Sequence, residues 1–431
     1  MKVRLLYLIP VLLSATVCNA QTPEKEPPPA IQVSVGESVV TTDGGLRITN
    51  IGNIRGYGKN ADTDIFSPKS AGFSKDGKKL YVNSLEGGKT VVYDGTTRKK
   101  LKTIRHRFNS GKGSKWLKPS GYYQFTHYED GESQGFMGKP VEQALTTDGR
   151  YLFVPYYRRT FDINAQDPSA MAVIDTRTDS IILMTETGPL PKMVKVSNDG
   201  KMLAITHWGD NTVGFMDISD GEPAKWKHLP PVIIGYKHKL DYSLEEPVNR
   251  DSGSGFSLRG TVFLPGDSLL LVGAMGGPAA VVDVKKSKFL GFIYELPTIR
   301  HIAMRGDMLY LSNNSRGSVM TVPVAEILKG VKERQGKIIH VKGIRNVKVG
   351  AGARTLEVSP DGKYIFVACN GASAVYIVDS SSMNVVGSID ADSYPVGLDI
   401  SPKGDILVTT SQGRSKKGGN AVNIYSLEYL K

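Results

Sequence analysis

From about residue 69 onward, apolar and polar positions alternate in runs of five or six, and each run stops at a cluster of Gly, Asp, Asn or Ser. A period of two broken by such clusters predicts half-buried β-strands joined by tight turns. The clearest stretch is residues 354–390, RTLEVSPDGKYIFVACNGASAVYIVDSSSMNVVGSID. Its expected strands run from Thr355 to Ser359, Tyr364 to Ala368, Ala374 to Asp379 and Val385 to Ile389. Pro360-Asp361-Gly362-Lys363 supplies the first turn, with Gly362 where positive φ is needed, and Asn370-Gly371 supplies the second. A four-stranded antiparallel unit this small cannot bury both faces alone, so it has to stack on units like itself.

Such units are present. A pattern of basic residue, any, apolar, any, apolar and then a turn opens at Lys69, Lys192, Arg259, Arg300 and Arg354, with Val141 and Val396 opening two weaker copies. The third strand closes on an aspartate at Asp94, Asp175, Asp217, Asp283 and Asp379. Val396 follows Arg354 by 42 positions and Arg300 follows Arg259 by 41; longer intervals hold insertions. Four-stranded repeats of that length are propeller blades, so the expected fold is an all-β, seven-bladed β-propeller. The last repeat shows three strands, and the segment from Leu46 to Ile51 is the candidate for its fourth, which would close the ring and remove exposed edges.

Tyr81-Val82-Asn83, with SKDGKKLYVNSLEGGKTVVYD and SPDGKYIFVACNGASAVYIVD, resembles the YVTN repeat of YncE-like bacterial seven-bladed propellers, across nearly all of residues 69–431. The resemblance implies a seven-bladed protein acting outside the cytoplasm, mostly by binding. It brings neither a shared catalytic set nor a shared ligand.

Composition refines the picture. The 431 residues are 40% apolar, ample for a large core, and the 47 glycines suit a turn-rich chain. Lys2 and Arg4 precede an apolar run from Leu5 to Val17 that is too short to span a bilayer, and Cys18-Asn19-Ala20 reads as a signal-peptidase site. Residues 1–20 are therefore expected to be a signal peptide cleaved after Ala20, giving a periplasmic or secreted protein. Lipidation at Cys18 is the less favoured reading, because Val17 is bulky. Residues 21–43 read as a linker and N-terminal extension, and 44–431 as one propeller domain. Removal of the signal leaves Cys369 as the lone cysteine, expected to pack as a small apolar residue. A net charge of +12 favours anionic partners.

Four insertions interrupt the repeats. Those at 106–138, 157–169 and 233–256 are expected on one face, whereas 324–336 is helix-like and expected on the opposite face. The first carries Trp116, Tyr122, Tyr123, Phe125, Tyr128 and Phe136, too aromatic for plain disorder.

Candidate chemistry follows from aligning the blades. Five of them open with Lys69, Lys192, Arg259, Arg300 or Arg354, which puts a ring of cations at one mouth of the central channel, with Glu142 able to neutralise part of it. His301 stands beside Arg300, and His207-Trp208 and Tyr156–Arg159 are expected on the same face. The expected ligand is anionic: a nucleic-acid strand, an acidic glycan or lipid headgroup, or a small carboxylate or phosphate. A protein partner on the insertion face is the other partner class. The histidines form no HxH or HExxH pair, there is no CxxC, and no GxSxG elbow or phosphate loop stands in the right context. No catalytic residue, metal site or resident cofactor is predicted. The alternative is a propeller enzyme, a lactonase-like hydrolase or a quinone- or haem-dependent oxidoreductase, using the same face.

Overall fold

The computed structural model describes residues 26–108, 117, 120–123, 136–159, 168–238, 255–413 and 418–430. The signal peptide with its cleavage site, Trp116, Phe125, Tyr128, most of the 233–256 insertion and the Arg159 and Phe136 side chains lie outside the described residues.

Seven antiparallel sheets form the seven blades of a β-propeller. In sequence order their innermost strands are Pro68–Phe73, Ala144–Leu145, Pro191–Val196, Leu258–Phe263, Ile299–Arg305, Ala353–Val358 and Pro395–Ile400. The core lies between blades. Leu271 and Val281 of blade four pack with Ile302 and Leu311 of blade five, and Phe366 and Ile377 of blade six pack with Leu398 and Leu407 of blade seven. Each blade thus buries one face against each neighbour, which is why every strand needs apolar residues on both sides.

The repeated turn has a common chemistry. Ser74, Thr146, Ser197 and Ser359 donate to the aspartate two residues on, and each hydroxyl also accepts the first N–H of the following strand. Gly362 sits at φ 77°, in the left-handed region, as its turn requires. The aspartates closing the third strands turn the chain in a similar way: Asp94 accepts the Thr97 N–H at 2.6 Å, Asp379 the Ser382 N–H at 2.7 Å and Asp283 the Lys286 N–H at 2.9 Å.

Blade seven takes Ala421–Tyr429 as its third strand, and Leu46–Arg55 pairs beside it from Leu46↔Tyr429 to Arg55↔Ala421. The two ends of the described chain therefore share a sheet. The preceding arm is more ordered than a linker. Ile31 bridges Ile389 through backbone bonds of 3.0 and 2.8 Å, Val33 is buried, and Ser38–Val40 adds an outer strand. Blade two departs from expectation at its centre. Val141 lies outside its two-residue innermost strand, because Pro140 ends the preceding strand Phe136–Pro140 directly before it. Val324–Glu333 is an α-helix, with Val324, Ile327 and Val331 buried along one side. Its first N–H bonds to the Asp307 carbonyl in the turn between the first two strands of blade five, at the end of the blade away from the cationic mouth.

Candidate functional site

Backbone geometry explains how one strand can present charge twice to the axis. Six innermost strands, all but that of blade two, carry a register shift near the opening position, such as Ala353/Leu356 in blade six and Leu258/Thr261 in blade four. A β-bulge breaks strict alternation, so residues three apart can both turn inward. Neighbouring blades pin the opening residues. Thr206 Oγ1 donates to the Arg259 carbonyl and Thr410 Oγ1 to the Lys69 carbonyl, both at 2.9 Å, and Ser312 Oγ donates to the Arg354 carbonyl. In each case a hydroxyl near the end of one blade's second strand holds the next blade's cation in place.

Lys69, Lys192, Arg259, Arg300 and Arg354 converge on the floor of a cavity of about 740 Å³. Its walls include Tyr157, Arg158, Trp208, Met275, Tyr394 and Gln412. Below the floor the axis narrows to a waist lined by the same five cations, Glu142, His301 and Thr355. Glu142 reaches Lys69 with Oε1 2.6 Å from Nζ, so one carboxylate lies among the five cations. Burial pushes the Lys69 ammonium down to about 7 against the pull of Glu142, and Arg354 and Arg259 add to the drop. Burial, then Arg354 and Arg259, hold the Arg300 guanidinium well below its usual range. Such crowding raises the free energy of the empty mouth and is relieved by an incoming anion.

Trp208 and Tyr157 grip the cations. The Arg259 guanidinium lies 3.9 Å from the Trp208 ring centre, and Lys192 Nζ lies 3.6 Å from the Tyr157 ring and 5.1 Å from that of Trp208. Arg354 stands 5.8 Å from the Tyr394 ring. Such cation–π contacts orient long side chains that would otherwise sample many rotamers.

His207 does not join Trp208 at the mouth. Its side chain is fully buried, Nδ1 meets Thr212 Oγ1 at 2.8 Å, and Nε2 accepts the Gly188 N–H at 3.0 Å. The strand Met202–His207 ends with the His207 side chain in the core, and Trp208, in the turn that follows, lines the cavity instead. Burial lowers His207 to about 3, which keeps it neutral. His301 sits at the waist, where it accepts the Leu356 N–H at 3.4 Å; burial lowers it to about 4, with Glu142 opposing and Lys195 and Lys69 adding to the drop. Among the described residues no group of three or more His, Cys, Asp and Glu is placed to hold a metal ion, and no helix is long and apolar enough to cross a membrane.

No family model matches the chain. Over 147 residues it is 31% identical to Antigen Lp49 of Leptospira interrogans serogroup Icterohaemorrhagiae serovar copenhageni, a match covering 31% of this chain and 30% of the antigen. The chain thus spans less than a third of that relative's length. Among solved structures, a chain of Kuenenia stuttgartiensis hydrazine synthase superposes with a TM-score of 0.57 at 14% identity, over 85% of this chain and 97% of that one. The Cps50 (Swd1) β-propeller domain of Myceliophteria thermophila gives 0.56 at 12% identity, over 84% and 97%. At these identities the likeness shows the fold alone.

Opposite the cationic mouth, beyond the waist, the axis opens again into a chamber of about 720 Å³. Glu357, Asp399 and Lys195 line it, each three residues after a blade's opening position. Alignment of the repeats held a signal for this second ring, but attention to the opening residue alone misses it.

Proposed function

We propose that this protein is an exported binding or scaffold propeller that takes an anionic ligand at the cationic mouth. The convergence of five cations around Glu142 carries the reading. Three arginines from consecutive blades offer planar forks suited to carboxylate or phosphate oxygens. A cavity of about 740 Å³ suits a compact, multiply charged small molecule better than a polymer. Export and membership among YVTN-type propellers belong to this proposal and rest on the residues quoted for them. A partner protein on the insertion face is compatible with the same fold.

Calorimetric titration with citrate and with pyrophosphate tests the mouth directly. Each arginine contact to a charged oxygen is worth roughly 1.5–3 kcal/mol, so Arg300→Gln should weaken binding by about tenfold or more. Replacing Arg259, Arg300 and Arg354 together by Gln should abolish it and shift elution from a polyanion resin to lower salt. Unchanged elution and unchanged affinity would sink the reading. A visible absorption band in the purified protein would instead favour the oxidoreductase alternative.

A further inference from the structure

The chamber on the far side of the waist has a polarity of its own. Blades six and seven contribute Glu357 and Asp399 at equivalent positions of adjacent innermost strands. Blade three contributes Lys195 at the same position, and in a ring of seven, blade three stands across the axis from blades six and seven. Three of the remaining positions are Gly72, Ala144 and Ala303, whose small side chains leave the space open. A Cβ added at Gly72 would come within 2.4 Å of Gln143 Nε2, so the backbone there already closes on a lining side chain.

The two signs do not neutralise each other. Among the described residues Glu357 has no hydrogen-bond or ion-pair partner, and Asp399 accepts only backbone N–H groups, including that of Phe73 at 2.8 Å. Among the same residues Lys195 makes no ion pair, although its charge acts on both carboxylates. Arg305 and Lys75 also line the chamber and act on Glu357 and Asp399 respectively, without an ion pair, and Glu142 lies at the waist, where Lys69 holds it. Buried Gln143 Oε1 also has no hydrogen-bond partner. A polar chamber with an acidic pair on one side and an ammonium group, joined to it by no ion pair, on the other is complementary to a ligand that carries both charges.

We infer that this chamber is a second ligand site, for a small zwitterion whose ammonium group sits between Glu357 and Asp399 and whose carboxylate meets Lys195. Burial pushes Glu357 upward, its neighbour Asp399 adds to the rise, and burial likewise raises Asp399. The pair therefore holds a proton more tightly than solvated carboxylates do, and an ammonium taking its place releases that proton.

The test titrates the full-length protein with 4-aminobutanoate, 6-aminohexanoate, hexylamine and hexanoate. An amino acid of this series should bind at least tenfold more tightly than hexylamine or hexanoate and release protons. Glu357→Gln combined with Asp399→Asn should remove that binding and leave citrate binding at the mouth unchanged; the amide oxygen that Asp399→Asn introduces can still accept the Phe73 N–H. Lys195→Gln should bring the amino acid down to the affinity of the bare amine. No binding by either amino acid, or equal binding by hexylamine, overturns the inference. So does binding that is lost with Arg300→Gln but survives the carboxylate variants, which would locate it at the mouth.

Discussion

Lys69 is where burial and charge crowding meet in a single side chain. Its folded value near 7 lies well below the 10.5 of a free lysine, so between those limits the unfolded chain binds more protons than the folded one. Its contribution to stability therefore rises with pH across that window, and the cost of the buried charge is greatest below pH 7. Anion binding acts in the opposite direction, because a bound anion favours the protonated amine. Affinity for citrate is expected to fall several-fold from pH 6 to pH 8.5 in the wild type and to vary less in Lys69→Gln, as read by calorimetry at constant ionic strength. A pH-independent affinity in the wild type would remove Lys69 from the site. His106 shows buried polarity used for structure. Its Nε2 meets Thr90 Oγ1 at 2.7 Å and its Nδ1 meets Tyr156 Oη at 2.8 Å, and burial lowers it to about 3. Its ring-proton resonances should not titrate between pH 8 and 5. His106→Phe should cost about 1–3 kcal/mol in urea denaturation, because it removes two buried hydrogen bonds, although Thr90 Oγ1 keeps Asn83 Oδ1 at 2.6 Å and Tyr156 Oη keeps the Met184 sulfur at 3.8 Å.

Among the elements, Leu46–Arg55 carries more than its length suggests. It covers the edge of Ala421–Tyr429 along nine residue pairs, Leu46↔Tyr429 to Arg55↔Ala421 with one irregularity between Asn50 and Gly52. Removing the chain through Glu37 takes away the Ile31 bridge and buried Val33; it should lower the melting temperature yet leave cooperative unfolding and no aggregate on size exclusion. Removing it through Arg55 exposes a strand edge, and aggregation is the expected result. The strand's alternation was readable from sequence. The docking of residues 26–37 was not, because an isolated backbone bridge and one buried valine leave no periodic trace in a Pro- and Glu-rich stretch. Blade two taught a similar lesson, since the repeat pattern predicts a full innermost strand where only Ala144–Leu145 forms.

For the whole molecule, the cationic mouth sets recognition against stability. Arg300 is half-buried and crowded by Arg259 and Arg354, so Arg300→Met should stabilise the ligand-free protein by about 1 kcal/mol while reducing the rise in melting temperature expected of the wild type with citrate. A destabilised variant with an intact citrate response would contradict this opposition. Scanning calorimetry of both proteins with and without citrate decides it.

What the sequence determined by itself was everything carried by local pattern: strand alternation, the Ser-x-Asp-Gly turns, the closing aspartates, seven repeats and the cation that opens five of them. These features depend on residues a few positions apart, and neighbours in the chain are enough to specify them. Tertiary structure decided which side chains share a space. A bulge in the innermost strands turns a second position toward the axis, so Lys195 comes to face Glu357 and Asp399 across it. Blade packing sends His207 into the core while Trp208, the next residue, closes over Arg259 at the mouth. Such placements depend on how sheets twist, bulge and stack around an axis, and none of these leaves a period in the sequence.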